Sequence, residues 1–321
     1  MIPSRCFPRY WRRFKIVILV FGEALIDFFP ASCGEEEGYV PRPGGSPHNV
    51  AIGLGRLGVP VGFVGRLSRD WFGRLLRKSF ESSGVDLRYL TEGDEPTALS
   101  FIHLGGAEPE FSFYGTKTAD CMLTTFPTPL PSEVRAIHVG SLAMVREPIG
   151  TAITAFLSRE HGKRIISFDP NVRPNQISDR DAYLARFNRW LQLSDIVKAS
   201  RSDLAYLYPN EDEKAVTARW LESGVRLVVI THGATGATGY VGREVVKVEG
   251  ERITAVDTVG AGDAFTSGLL AWLHEHNRLL PERLTGIPTE ELHAALKWAS
   301  RVAAITCARR GADPPHRSEL A

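Results

Sequence analysis

The chain has 321 residues, 43% of them hydrophobic, enough for one large α/β domain or two smaller ones to bury a full core without disulfide staples. Its 38 basic and 37 acidic residues leave a formal charge of +1, which gives no support for nucleic acid or an acidic polymer as partner. Cys6, Cys33, Cys121 and Cys307 lie far apart with no paired spacing, so they read as reduced thiols of a cytoplasmic protein rather than a disulfide framework or a zinc site.

The chain opens with Arg5, Arg9, Arg12, Arg13 and Lys15 and no acid, followed by the apolar run 16–21. That run is too short to span a membrane, and Gly22-Glu23 breaks it without a small-residue cleavage site. It reads as a buried strand, and residues 1–13 read as a disordered leader or a start placed too far upstream. The extended pattern continues over 24–29, where Asp27 is a lone charge among large apolar residues. An ionised carboxylate only accepts hydrogen bonds, so the hydroxyls of a sugar suit it; the alternative is an Asp facing solvent on an edge strand. Residues 31–43, acidic and Pro-rich, read as a loop or a short exposed strand.

Next comes Gly44-Gly45-Ser46-Pro47-His48-Asn49, opening a helix. The glycine pair lets backbone approach a ligand, and Asn49 offers a sugar hydroxyl both a donor and an acceptor. A literal G-x-G-x-x-G follows at Gly53, Gly55 and Gly58, but it lies inside and at the end of the helix rather than after a strand. It therefore reads as close helix–sheet packing plus a terminating glycine, not as a dinucleotide fingerprint. A strand at 61–65 and a helix from Asp70 to about Gly84 follow. Segments 97–104 and 110–114 flank a Gly-Gly-Ala-Glu-Pro turn and predict a hairpin. This hairpin and the extended stretch near 26–43 interrupt an α/β pattern, and pairing them gives one small sheet, a candidate lid.

From residue 134 onward strands and helices alternate: strands at 136–139, 164–169, 195–199 and 227–231, helices at 148–161, 181–193, 202–208 and 212–222. Such alternation predicts a parallel sheet covered on both faces, with ligands beyond the carboxyl ends of the strands. Polar clusters fall at those ends: Asp169-Pro170-Asn171-Val172-Arg173, then Ser200 and Asp203, then Thr231 with Gly233 and Gly236. Each alone reads as a turn; jointly they argue for a phosphate-rich ligand. A short hairpin is predicted over 241–253, and a long helix over 290–309.

Between those last two lies Asp257-Thr258-Val259-Gly260-Ala261-Gly262-Asp263-Ala264-Phe265. Phe265, Leu269, Trp272 and Leu273 then recur at helical spacing, so Gly260-Ala261-Gly262 is the turn into a helix. The unpaired N–H groups of that first turn form an anion site. Asp263 beside it is either a base that accepts a proton while a phosphate is held, or an acidic residue favouring a helix start.

The two glycine-bearing stretches, at 44–51 and 257–265, resemble the paired signatures of the ribokinase-like (PfkB) carbohydrate kinases over roughly 14–315, nearly the whole chain. Residues 21–28 and 169–173 look most like the fructokinase branch. The resemblance implies a three-layer α/β/α domain with a mainly parallel central sheet, a small β-sheet lid from insertions at about 26–43 and 97–118, and a tail at 316–321. It implies an ATP-dependent sugar kinase phosphorylating a primary hydroxyl, fructose to fructose 6-phosphate being the first choice. Acceptors such as 2-keto-3-deoxygluconate, ribose or a nucleoside are the alternatives within the family, and a catalytically silent sensor is the alternative outside that class.

By the same resemblance Asp263 is the base, the amides of Gly260, Ala261, Gly262 and Asp263 form the anion hole, and Asp27, Gly44, Gly45, Asn49 and Arg173 hold the sugar. Ser200, Asp203, Thr231, Gly233 and Gly236 line ATP. Mg²⁺ accompanies the nucleotide, and Asp257 with the Val259 carbonyl holds a monovalent cation such as K⁺. A homodimer through the lid is implied, with neither nucleic acid nor membrane as partner. Three positions depart from the pattern. Ser200-Arg201-Ser202-Asp203 replaces the family's Asn-x-x-Glu. Gly115 stands where an Arg often follows the aromatic pair, with the point charge of Lys117 two residues on. His48 stands where small residues are usual.

Overall fold

The computed structural model describes residues 17–33, 36–103 and 110–320. The segment 1–13 and the turn at 105–109 lie outside the described residues.

The first half of the chain forms β1 (Ile18–Phe21), β2 (Leu25–Cys33), β3 (Glu36–Gly44), α1 (Ser46–Arg56), β4 (Val61–Val64), β5 (Arg66–Ser68), α2 (Trp71–Ser82), β6 (Thr91–Gly93), β7 (Leu99–His103) and β8 (Glu110–Tyr114). The regular alternation follows as β9 (Ala136–Gly140), α3 (Leu142–Val145), α4 (Ile149–Glu160), β10 (Ile165–Asp169), α5 (Arg180–Gln192), β11 (Ile196–Ser200), α6 (Arg201–Leu207), α7 (Glu213–Glu222) and β12 (Leu227–Thr231). The chain closes with β13 (Ala237–Val241), β14 (Glu244–Val248), α8 (Ala261–Glu275), α9 (Pro281–Thr285) and α10 (Thr289–Cys307).

Eight strands form the central sheet in the order β14-β13-β12-β11-β10-β9-β1-β4. Neighbours from β4 to β12 pair in parallel, and β13 and β14 add an antiparallel hairpin at one edge. Both faces are covered because successive side chains of a strand point to opposite sides: Ile18 and Val20 enter one core cluster, Leu19 and Phe21 the other. Helix α8 lies within the first cluster, with every residue from Asp263 to Leu273 buried. Leu269, Leu270 and Leu273 each contribute roughly 1.5–3 kcal/mol by leaving water. That burial anchors the helix and fixes where its N-terminus points.

The two insertions pair as expected, giving a second sheet in the order β3-β2-β7-β8. One open reading resolves and three change. Of the two alternatives for 31–43, the exposed strand holds: β3 is a nine-residue strand paired with β2 from Leu25↔Gly44 to Cys33↔Glu36. Its exposed face and its prolines hide the alternation, and both are common devices on edge strands. The C-terminal hairpin spans β13 and β14 rather than 241–253, with its turn at Gly242, φ +56°. Gly53 packs against Ser267 of α8 and Gly55 against the Ser83 carbonyl, so the glycines of α1 serve contacts between helices rather than with the sheet. Beyond 315 the chain packs on the body: Arg317 pairs with Glu275 and lies on Trp298, and Leu320 is buried.

Candidate active site

Gly260 turns the chain into α8 with φ +76°, so close to Ala312 that any side chain would collide with it. Ala261 N–H is spent in the turn, donating to Thr258 O at 3.2 Å, and Ala264 N starts the helical ladder on Gly260 O at 2.8 Å. Of the predicted anion-hole amides, those of Gly260, Gly262 and Asp263 therefore have no acceptor among the described residues. They are the donors left for an anion at the positive end of the helix.

Asp263 is buried, and both of its oxygens are held. Ser46 Oγ–H donates to Oδ1 at 2.7 Å and Asn49 Nδ2–H to Oδ2 at 2.8 Å. Both donors sit in the first turn of α1, which begins after Gly45 at φ +99°, so two helix N-termini converge on one carboxylate. Each oxygen keeps a lone pair free. Burial raises the Asp263 pKa above the ordinary carboxylate value while the Ser46 and Asn49 bonds pull it down. Asn49, expected to offer a ligand both donor and acceptor, has its oxygen engaged by His48 Nδ1 at 3.1 Å and one N–H by Asp263. One N–H remains.

Under this carboxylate lies a buried ion pair that sequence reasoning missed. Lys198 Nζ donates to Asp169 Oδ2 at 2.9 Å and sits 2.9 Å from where a Gly262 Cβ would be. Burial pushes the Lys198 pKa down, but Asp169 and Asp203 push it further up, so the lysine stays charged. The signal was present, since Lys198 is a lone charge inside an apolar strand as Asp27 is. Asp203 spends its carboxylate on Val172 N at 2.7 Å and on Ser200 N and Oγ at 2.7 and 2.6 Å, closing a capping box on α6. Arg173 leans on its own loop carbonyls and lies over the Phe111 ring at 5.5 Å, while Asn175 Nδ2 donates to Phe111 O at 2.8 Å, fastening the lid to the β10 loop.

The inward face of the lid carries Asp27, which lies so close to Gly44 that any Cβ there would strike its carboxylate. Burial pushes the Asp27 carboxyl up to about 7, with the charges of Asp263 and Glu23 adding to the rise. Glu23, at the β1–β2 junction, is likewise pushed up to about 7 by burial; its Oε2 accepts from Ala143 N at 2.9 Å and its Oε1 has no partner. Lys117 does not take the place of the absent arginine. It is exposed, and the Arg146 guanidinium from the end of α3 instead lies across the bare Gly115 Cα. There it is tied to buried Asp120 at 3.2 Å and stacked over Phe113 at 5.9 Å. No local pattern marks Arg146, because the contact exists only in the folded chain.

On the opposite side, Ser200 and Thr231 end adjacent parallel strands in register. Gly233, at φ +59°, opens onto free space, whereas Gly236, at φ +108°, is crowded by the Val248 carbonyl. Asp257 pins the loop before α8 by accepting from Val259 N at 2.9 Å and Gly311 N at 2.8 Å. Among the described residues no three His, Cys, Asp or Glu side chains converge on a metal-sized point, and no helix is long and apolar enough to cross a membrane.

Residues 15–318 match the family described as pfkB family carbohydrate kinase. A fructokinase from Rhizobium leguminosarum bv. trifolii is 40% identical over 278 residues, covering 86% of this chain and 85% of that protein. The crystal structure of a Xylella fastidiosa fructokinase with bound ATP superimposes with a TM-score of 0.87 at 30% identity, covering 95% of this chain and 97% of that one. A Vibrio cholerae fructokinase solved with fructose, ADP and calcium superimposes with a TM-score of 0.80 at 27% identity, covering 95% and 98%.

Proposed function

This chain belongs to the pfkB family of carbohydrate kinases and is a phosphotransferase acting on a sugar hydroxyl; from that premise we propose that it transfers the γ-phosphate of ATP to the primary hydroxyl of fructose, giving fructose 6-phosphate and ADP. The observation that carries the mechanism is Asp263, oriented by Ser46 and Asn49 at a helix terminus with three free amides. Its carboxylate takes the hydroxyl proton as the sugar oxygen attacks the γ-phosphorus. The bridging oxygen leaves with its electron pair on ADP, and the Gly260, Gly262 and Asp263 amides hold the charge on the transferring group.

Asp27, the backbone at Gly44 and Gly45, the remaining Asn49 N–H and Arg173 hold the sugar. Ser200, Thr231, Gly233 and Gly236 line the ATP phosphates. Mg²⁺ would be held at those phosphates and would supply neutralisation of their charge. Asp203 would act on it only through water, since three hydrogen bonds already occupy its carboxylate. Asp257 and the Val259 carbonyl would hold the monovalent cation, K⁺ being the ion of choice. The outer face of the lid, where Tyr39 and Tyr114 pack on Phe101 and stay 45% and 63% exposed, supports a homodimer through that sheet. The free thiols of Cys121 and Cys307 support a cytoplasmic setting.

One observation favours a second acceptor class. Arg146 and Arg173 stack on Phe113 and Phe111, neighbouring inward residues of β8, and two guanidinium groups suit a sugar acid such as 2-keto-3-deoxygluconate. An ADP-release assay across fructose, ribose, a nucleoside and that acid separates the readings. Fructose is expected to give the highest kcat/KM. Silence with fructose and turnover with the acid overturns the first reading.

A further inference from the structure

His48 departs from the family pattern, and the functional reading leaves it without a task. It is 3% exposed, sits edge-on to Phe80 at 4.7 Å, and turns both ring nitrogens to neighbouring side chains. Its two nitrogens point along a chain of contacts. Nδ1 lies 3.1 Å from Asn49 Oδ1, Nε2 lies 2.7 Å from Ser79 Oγ on α2, and Asn49 Nδ2 lies 2.8 Å from Asp263 Oδ2. Three side chains from two helices thus run in series to the Asp263 carboxylate of a third.

Proton bookkeeping allows two wirings of that chain. With Asp263 ionised its oxygen only accepts, so Asn49 must turn its nitrogen toward it and its oxygen toward His48. His48 is then protonated on Nδ1, and Nε2 accepts from Ser79. In the other wiring Nε2 donates to Ser79, which donates onward to Leu76 O at 2.8 Å, and bare Nδ1 accepts from Asn49. That flips the Asn49 amide and sets its oxygen against Asp263, which is tolerable only when Asp263 carries a proton. Burial holds the imidazole neutral, its pKa pushed down to about 4, so only one ring nitrogen is free to donate at working pH.

We propose that His48 is a positioning residue: by donating from Nδ1 to Asn49 it locks the Asn49 amide nitrogen on Asp263, keeping the base ionised and aimed at the acceptor hydroxyl. The inference rests on Asp263 being the base. The other groups facing Asp263 are Ser46 on α1, Asp169 on β10, Lys198 on β11 and, from the lid, Asp27; Arg56 is the charge that bears on His48. None of them orients the Asn49 amide.

The test is the pH profile of kcat, measured with saturating sugar and ATP so that it reports the ternary complex. His48→Met keeps the volume and removes the donor. Without the donor Asn49 is free to flip, and loss of its N–H moves the acidic limb up by about one pH unit, a tenfold change in proton affinity. The KM for ATP should hold. His48→Gln restores a donor toward Asn49 and an acceptor toward Ser79, and should return the limb toward wild type. Ser79→Ala leaves the imidazole in place and removes the acceptor that the other wiring needs, so it should hold the limb at or below the wild-type position; His48→Leu, the same loss of donor, decides the matter if His48→Met does not fold. An acidic limb at the wild-type position in every folded variant overturns the proposal. Wild-type turnover in Asp263→Asn would instead overturn the base assignment beneath it.

Discussion

The floor and the roof of the site are built on different terms. On the floor, where α1, α8 and the ends of β10 and β11 meet, Asp169, Asp203 and Asp263 are buried, and each is answered by an ammonium, a hydroxyl or an amide. On the roof side, Glu23 keeps one oxygen without a partner, and burial pushes both Asp27 and Glu23 up to about 7, as it also raises Asp203 and Asp263. A satisfied carboxylate is fixed before substrate arrives. One with unmet demand gains when the hydroxyls of a ligand reach it, because an unpaired buried polar group costs about 1–3 kcal/mol. On the proposed roles, the floor is set for chemistry and the roof for capture.

The largest effect that should sharpen this contrast is on stability. Glu23 has its pKa raised on folding, so the native state binds more protons between about 4.5 and 7, and its contribution falls as pH rises through that window. Glu23→Gln removes the titration. Relative to wild type, the variant should gain about 3 kcal/mol on going from about pH 4.5 to about pH 8, because each pH unit inside the window is worth about 1.4 kcal/mol. Parallel pH dependences in denaturant unfolding would contradict the contrast at its roof end.

Capture comes next. Asp27→Asn should raise the fructose KM about 100-fold while kcat changes little, the loss of a charge-assisted hydrogen bond network to the sugar. A fall in kcat at constant KM would move Asp27 to the floor. Smallest is Arg146→Gln, which removes the guanidinium lying over Gly115. It should raise the acceptor KM about tenfold, one hydrogen bond to a charged donor, and Gly115→Arg in the same chain should recover part of it. An unchanged KM in Arg146→Gln would leave that guanidinium only its tie to Asp120.

How well each region could be read from the amino-acid sequence follows the same division. The family resemblance, the three-layer fold and the pairing of the two insertions into a second sheet are borne out, because glycine turns, apolar periods and lone charges are local signals. The helix start at Gly260 was legible for that reason, and Asp27 and Lys198 carry the same signal, a charge within an apolar strand. Strand β3 was legible only as one of two alternatives, a loop or a short exposed strand, because an exposed edge strand has no buried face to impose alternation. Arg146 could not be read at all. Its place over Gly115 is set by α3 and β8 meeting in space, and nothing in either segment announces the other.

Asp263 tests the account most directly. Asp263→Asn keeps the shape of the floor and removes the proton acceptor, so titration calorimetry should show fructose and ATP binding near wild-type affinity while kcat falls about 10³-fold, within the range for loss of a general base. Binding retained with kcat within a few-fold of wild type would contradict the central claim that this buried carboxylate takes the proton from the acceptor hydroxyl.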